Sequence, residues 1–150
     1  MTDDPRYFED LEEGLTEDCG SIEVTREEML EFAERYDPQP IHVDADAAEA
    51  SMFGDLIASG WLTCALSARL LVTGHMNRNA TLGGRGMDDV RWHQPVYAGD
   101  TLSVTVELVE KRAGDNPAFG HTRARVTTTN GDGETVLTMD GLGLVEKRGE

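Results

Sequence analysis

The segment YDPQPIH, residues 36–42, holds a carboxylate, Asp37, and an imidazole, His42, separated by two prolines. On a continuous α-helix, five residues correspond to about 500° of rotation, so the two side chains would point to different sides. Pro38 and Pro40 each fix φ, lack an N–H and keep the preceding residue out of helical geometry, so we predict a sharp bend. Across that bend the Asp can fix the tautomer of the ring, or both groups can hold one water for proton transfer. A helix end followed by an exposed His fits these residues equally well.

Helical patterns flank this bend on both sides. Thr25 and Glu28 form a capping box, and apolar residues at helical spacing continue to the prolines, so we predict a helix over 26–36. The chain after the bend is rich in Ala and acidic residues, which predicts a short helix over 44–50 capped by Asp44.

A longer apolar helix is predicted to begin near Gly60 and to run over 61 to about 73. Arg69 is its only charge, and a helix that is apolar nearly all round has to be surrounded by other elements. Alternating and β-branched runs predict four strands in meander order, over 86–94, 101–111, 119–130 and 135–146, with another strand near 21–24. We therefore predict an α+β fold, an antiparallel sheet curled around one central helix.

Size and charge exclude several classes of protein. A chain of 150 residues fits one domain, 1–150. With 13 Lys and Arg against 29 Asp and Glu, the net charge is −16, which disfavours binding to nucleic acid or anionic membranes. The acidic residues are spread along the whole chain, which favours a salt-adapted, halophilic protein, although ordinary acidic proteins share this composition.

The cysteines and histidines form no metal or disulfide pattern. Cys19 and Cys64 lie far apart without C-x-x-C spacing, so reduced thiols are expected. The spacing of His42 and the other three histidines matches no metal-ligand motif, so we predict no metal. The acidic N-terminus is unlike a signal peptide and no apolar run is long enough to span a membrane, so we expect a cytoplasmic protein.

The order of these elements and motifs resembles the MaoC-like acyl dehydratases, which include the (R)-specific enoyl-CoA hydratases. The resemblance spans nearly the whole chain. The matching pieces are YFEDL at 7–11, DPQPIH at 37–42, the small residue Ala48, IASG at 57–60, VRWHQPV at 90–96 and GDTL at 99–102.

The resemblance implies a hot-dog fold, pairing of two such units into a homodimer, and an acyl-CoA tunnel at or near that pairing. It assigns to Asp37 and His42 the binding and activation of the water that adds across the C2=C3 bond of a 2-enoyl thioester. It assigns to the backbone N–H of Gly60 the thioester oxygen. No cofactor is implied, because coenzyme A is part of the substrate.

The physical chemistry of the reaction agrees with this assignment. Addition of water at C3 drives negative charge onto the thioester oxygen, so donors aimed at that oxygen are needed. The start of a helix offers free N–H groups and the positive end of the dipole, and Gly60 allows close approach of the backbone. Alternatively, Ser59 is a simple N-cap and Gly60 a permissive turn residue.

The segment departs from the commonest family motif, which has Gly before the Asp and Asn two residues after it. This chain has Tyr36 and Gln39 instead, so Gln39 either takes over the orienting role of the Asn or places its amide elsewhere. We count Gln39 as a candidate substrate-binding residue, together with Ser59 and Trp61 beside the helix start. His93, at a strand end, lines the tunnel in this hypothesis or is a satisfied structural His.

Two further motifs have alternative interpretations. Arg85 and Arg91 are candidates for binding the phosphates of coenzyme A, or they pair with Asp88 or Asp89. The sequence DNP at 115–117 looks like a second fragment of the hydratase motif, but a hairpin turn explains it better.

Three functions remain from this reading. The first is a homodimeric hydratase that interconverts a 2-enoyl-CoA and the (R)-3-hydroxyacyl-CoA, using Asp37, His42 and Gly60. The second is a hot-dog acyl-CoA thioesterase, although such enzymes usually carry a carboxylate on or beside the central helix and this chain has none between Gly60 and Gly74. The third is a non-catalytic acyl-thioester-binding module.

Overall fold

The computed structural model describes residues 4–149. Its α-helices are α1 (Arg26–Tyr36), α2 (Pro40–Val43), α3 (Ala45–Glu49) and α4 (Gly60–Gly74), and its strands are β1 (Thr16–Glu23), β2 (Thr81–Trp92), β3 (Thr101–Arg112), β4 (Phe119–Thr129) and β5 (Thr135–Glu146). Single 3-10 turns lie at Phe8–Asp10 and Met76–Arg78. The predicted helices are confirmed, whereas α2 was not predicted.

The five strands form one antiparallel sheet in the order β1-β3-β4-β5-β2. The predicted meander is correct for β3, β4 and β5 but wrong for β2, which pairs with β5 and not with β3. The chain between β2 and β3 makes no tight hairpin, because Ala58 N–H donates to the carbonyl of Val96 and a bridge joins Ile57 to Tyr97. These contacts draw the connection to the segment before α4 and leave the other side of β2 as a sheet edge.

In two hairpin turns an Asn side chain accepts hydrogen bonds from backbone N–H groups. Asn116 Oδ1 accepts from the N–H of Ala118 at 2.8 Å, so the DNP sequence does lie in the β3–β4 hairpin turn. In the β4–β5 turn, Asn130 Oδ1 accepts from the N–H groups of Asp132 and Glu134. Both are local Asn turns that replace strand pairing at a reversal of the chain.

The core lies between α4 and the concave face of the sheet. Leu62, Leu66 and Leu70 of α4 are buried in the same cluster as strand residues such as Val104 and Val126. Near the end of the helix Gly74 lies so close to β1 that a Cβ there would be 2.6 Å from the Cα of Cys19. The sheet therefore wraps around one central helix, as predicted.

One face of α4 is nevertheless uncovered in the single chain. Trp61 is 59% and Val72 37% exposed, and Ala65 and Ala68 between them are also exposed. The prediction that other elements of the chain surround this helix is wrong for that face. Apolar side chains at these positions leave an apolar stripe on the surface of the protomer.

Candidate active site

The double-proline segment forms the predicted bend. Helix α1 ends at Tyr36, and the Asp37 backbone, with φ −154° and ψ 67°, has left helical geometry while its N–H still bonds to Ala33. Gln39 is extended, and Pro40 takes the first position of α2, where its missing N–H costs nothing. His42 lies on this single helical turn, which directs it back towards Asp37.

Asp37 and His42 meet inside the protein. His42 Nε2 lies 3.4 Å from Asp37 Oδ2, and the His42 residue is only 5% exposed. His42 Nδ1 lies 2.8 Å from the carbonyl oxygen of Ile57, which can only accept, so Nδ1 carries the proton. In the neutral ring Nε2 is then an acceptor, as is the carboxylate. Two acceptors facing one another need a donor between them, and a water molecule can donate one hydrogen to each.

Two hydrogen bonds hold the Asp37 carboxylate. Gln39 Nε2 donates to Oδ1 at 2.8 Å, and Ser59 Oγ donates to Oδ2 at 2.7 Å. Burial pushes the pKa of Asp37 upwards, but the hydrogen bonds from Ser59 and Gln39 outweigh burial and leave the pKa below its usual value. Asp37 is therefore ionised at neutral pH. The amide of Gln39 thus contacts the Asp37 carboxylate directly, and whether it takes over the role of the family's Asn stays a prediction.

The start of α4 forms the opposite side of the site. Ser59 is completely buried, and its oxygen also accepts from the N–H of Trp61 at 3.2 Å, so it caps the helix as well as binding Asp37. Gly60 N–H has no acceptor among residues 4–149. A Cβ on Gly60 would lie 2.5 Å from Cε2 of Trp92, so close packing requires the glycine, whereas its φ lies outside the left-handed region.

These residues surround an open cleft of about 450 Å³. The predicted site residues Asp37, Gln39, His42, Gly60, Trp61 and His93 line it, and Ser59 lies behind Asp37. His93 Nε2 also lies 2.8 Å from Thr138 Oγ1, so this histidine lines the cleft and has a hydrogen-bond partner within the protein.

Sequence reasoning missed Phe53, Thr63 and Trp92 as cleft residues. Trp92 packs edge-on against Trp61, with ring centroids 5.4 Å apart and an interplanar angle of 83°. Trp92 is part of the VRWHQPV motif, which could have signalled a role for it.

The remaining candidates lie elsewhere. Arg91 donates to the carbonyl of Val90 and Arg85 contacts His121. The alternative that these arginines pair with Asp88 or Asp89 is therefore wrong for residues 4–149. Asp88 pairs with Arg123 instead.

The described chain also contains no group of three or more His, Cys, Asp or Glu side chains arranged to hold a metal ion. Cys19 and Cys64 are free thiols whose pKa is raised by burial. Within residues 4–149, no helix has the length and apolarity needed to cross a membrane.

Comparison with known proteins identifies the class. Residues 15–130 match the family model described as the MaoC like domain, and the chain belongs to the MaoC-like dehydratase family. It is 34% identical over 145 residues to the 3-hydroxybutyryl-CoA dehydratase of Methylorubrum extorquens, covering 96% of this chain and 87% of the relative.

Solved structures agree with this assignment. The MaoC-like dehydratase from Rhodospirillum rubrum superposes with a TM-score of 0.88 at 33% identity, covering 96% of this chain and 99% of that one. A Mycobacterium tuberculosis protein described as having a double hot-dog fold gives a TM-score of 0.78 at 19% identity, over 97% of this chain and 46% of that one. The predicted hot-dog fold is confirmed.

Proposed function

We propose that this protein is an (R)-specific enoyl-CoA hydratase, or 3-hydroxyacyl-CoA dehydratase, that adds water reversibly and in syn geometry to a 2-enoyl-CoA. The observation that carries the proposal is the convergence of two acceptors, Asp37 Oδ2 and His42 Nε2, in a cleft that also contains the start of α4. The dehydratase activity named for the Methylorubrum relative supports the same reaction class.

The pair positions and deprotonates the water. Asp37, ionised and fixed by Ser59 and Gln39, accepts one hydrogen of the water, and His42 Nε2 accepts the other. The water oxygen bonds to C3 of the enoyl group while one proton passes to the pair and is returned to C2. Both additions come from the side on which the pair lies, so they occur on one face of the double bond, and the pair ends in its original protonation state.

The charge that develops on the thioester oxygen needs a donor on the other side of the cleft. Gly60 N–H is proposed for this role, and two observations support it: Gly60 begins a 15-residue helix, and no protein acceptor within residues 4–149 binds its N–H. Such preorganised donors act on the transition state more than on the substrate. Trp61 and His93 are proposed to line the acyl-thioester path, and the reaction requires no cofactor besides the coenzyme A of the substrate.

The active form is proposed to be a homodimer. The apolar stripe on α4 and the exposed Leu82, Met87 and Trp92 on the edge strand β2 support a second copy as their cover. Exposed apolar area beside a free strand edge favours association.

The test is hydration of crotonyl-CoA and longer 2-enoyl-CoAs, followed as loss of the enoyl absorbance. Asp37→Asn and His42→Ala are each expected to lower turnover about 10²–10⁴-fold, because a positioned acid or base contributes that much. Asp46→Asn, which removes an exposed carboxylate on the nearby α3, is the matched control and should turn over normally. Near-normal rates in both site variants would reject the assignment.

The same assay separates the rival functions. Release of free thiol from the acyl-CoA would make the protein a thioesterase, against which stands the absence of any Asp or Glu in α4. Binding of acyl-CoA without turnover would make it a binding module.

A further inference from the structure

Thr63 of α4 is a buried polar residue that no step of the proposed reaction uses. It is 2% exposed and lies in the wall of the cleft. Of the residues between 4 and 149 that line the cleft, His42 and Thr63 are the two buried ones with polar side chains. The cleft therefore contains a buried hydroxyl in addition to the imidazole.

The hydroxyl of Thr63 makes no hydrogen bond to any other group in the described part of the chain, although a helical Thr can bond the carbonyl four residues earlier. Thr73 of the same helix makes that bond, with Oγ1 3.1 Å from the carbonyl oxygen of Arg69. Among the described residues, every side-chain N or O atom that is sealed inside the protein has a hydrogen-bond partner. The Thr63 hydroxyl is therefore not sealed, and the space that Thr63 lines is the cleft.

The position of Thr63 on α4 brings its side chain close to the two acceptors of the candidate site. Thr63 N–H donates to the carbonyl oxygen of Ser59 at 3.1 Å, so the two residues lie on one face of the helix, about 5–6 Å apart between Cβ atoms. The Cα–Cβ bond of a helical residue leans towards the start of the helix, which here is the Ser59 end. Ser59 Oγ bonds Asp37 Oδ2, the same oxygen that lies 3.4 Å from His42 Nε2. A water on that oxygen and that nitrogen is within reach of the Thr63 hydroxyl.

The water of the proposed reaction has room for a third hydrogen bond. It has two hydrogens and two lone pairs, and its hydrogens go to the acceptors Asp37 Oδ2 and His42 Nε2. One lone pair attacks C3 of the enoyl group, which leaves the other lone pair for a donor. Buried waters typically make about three hydrogen bonds. Ser59 and Gln39 already donate to Asp37, whereas the hydroxyl of Thr63 has a hydrogen to donate.

We infer that Thr63 is a further residue of the reaction, and that its hydroxyl donates a hydrogen bond to the oxygen that is added at C3. In the hydration direction this oxygen belongs to the water, and in the dehydration direction it belongs to the 3-hydroxyl group of the thioester. The bond fixes the direction of the attacking lone pair, and Thr63 keeps its own proton throughout. A nucleophile held in the wrong direction reacts more slowly although the thioester still binds. The inference rests on the proposed function, because it assigns the hydroxyl to the water of that reaction.

Thr63→Val removes the hydroxyl and keeps the branched shape of the side chain. The kcat for hydration of crotonyl-CoA should fall about three- to tenfold, which is the contribution of one neutral hydrogen bond, while KM for crotonyl-CoA stays at the wild-type value. The free energy of unfolding should not fall, because valine gives up no hydrogen bond within the protein and buries apolar atoms instead. Thr63→Ser keeps the hydroxyl and should restore most of the lost kcat.

The matched control is Thr73→Val, which makes the same change at an exposed position of the same helix and should leave kcat and KM unchanged. Wild-type kcat in Thr63→Val would overturn the inference, and so would a loss of kcat that Thr63→Ser does not reverse. A loss of kcat accompanied by a lower free energy of unfolding would also overturn it, since Thr63 would then act through the fold.

A crystal structure distinguishes failure of this inference from failure of the proposed function. In the wild-type protein a water is expected within about 3.2 Å of Asp37 Oδ2, His42 Nε2 and Thr63 Oγ1, and in Thr63→Val it should be displaced or lost. A wild-type cleft in which no water contacts Thr63 Oγ1 would overturn the inference whatever the activity. A wild-type protein that binds this water on all three groups but hydrates no enoyl-CoA would sustain the contact assigned to Thr63 and reject the proposed function.

Discussion

The indole Nε1–H of Trp92 donates a hydrogen bond to the carbonyl oxygen of Gly60 at a distance of 2.9 Å. The same ring fills the space that a side chain at position 60 would need. One residue of the edge strand thereby anchors the first turn of the central helix beside the cleft. The position of the donor proposed for the thioester oxygen consequently depends on a contact between two residues 32 positions apart in the sequence.

Gly60→Ala is expected to displace the Trp92 ring and with it the start of α4. Overpacking of this kind costs about 1–3 kcal/mol of unfolding free energy. The loss of turnover, expressed as an activation free energy, should be larger than this loss of stability because the proposed donor moves. Chemical denaturation and the enoyl-CoA assay measure the two effects. Gly83→Ala is the matched control, since a Cβ there meets nothing within 4 Å. Full activity in Gly60→Ala would refute the proposed role of the helix start.

Ser59→Ala is expected to raise the pKa of Asp37, because burial remains while one of the two hydrogen bonds that lower it is lost. A depressed carboxyl pKa keeps the ionised form present as the pH falls, so the acid limb of the pH–rate profile should move to higher pH in the variant. Ser67→Ala is the control, because it removes a buried hydroxyl of the same helix that bonds Thr128 instead. If the acid limb of Ser59→Ala stayed at the wild-type pH, the ionisation of Asp37 would not control the rate.

Acid stability should depend on Glu17. Burial raises its pKa, but hydrogen bonds from Arg6 and His75 prevail and lower it to about 2. A depressed carboxyl pKa contributes stability that is complete above the unfolded value of 4.5 and is lost as the pH falls towards 2. Glu17→Gln should therefore lose on the order of 3 kcal/mol at most at neutral pH and flatten the unfolding free energy between these values. Glu12→Gln, an exposed neighbour, should behave like the wild type.

Added salt should stabilise the protein if its acidic surface is an adaptation to concentrated salt. Raising KCl from 0.01 M to 1 M shortens the screening length from about 30 Å to about 3 Å, which weakens repulsion among the excess carboxylates. The midpoint of thermal unfolding should rise over this range. Sucrose of equal osmolality controls for solute exclusion, which stabilises proteins without screening. A midpoint that responds equally to both would argue against the halophilic interpretation.

Ala68→Glu is expected to dissociate the proposed homodimer, since it places a charge in the apolar stripe of α4. Sedimentation velocity should show the mass of a dimer for the wild type and of a monomer for the variant. Ala50→Glu, at an exposed position after α3, serves as the control and should sediment like the wild type. A wild-type monomer would contradict the proposed assembly directly.

The sequence predicted the limits of those helices and strands that have a local start signal and a local stop signal. Helix α1 has the predicted limits because the Thr25 hydroxyl, which accepts from the N–H of Glu28, caps its start and Pro38 follows its end. Strand β5 has its predicted limits as well. Strand β2 begins at Thr81 and not at 86 because Gly83, Gly84 and Gly86, which normally weaken a strand, here pair with β5. Its position beside β5 could not be predicted, since strand order is set by contacts distant in sequence.

In the candidate site too, contacts within one short segment could be predicted from the sequence, whereas contacts between distant segments could not. The approach of Asp37 to His42 follows from the two prolines and was predictable, because both residues lie in one short segment. The contact between Trp92 and Gly60 has no local signature in the sequence, because it joins a strand end to a helix start. Such contacts depend on the register of the sheet, which hydrophobic periodicity does not specify.

The single hydroxyl of Ser59 donates a hydrogen bond to the Asp37 carboxylate and also accepts one from the N–H of Trp61, which caps the central helix. A lineage that retunes its chemistry by replacing this serine has to find a new anchor for the central helix at the same step. Sequence change at Ser59 is therefore coupled to the core as well as to the candidate site.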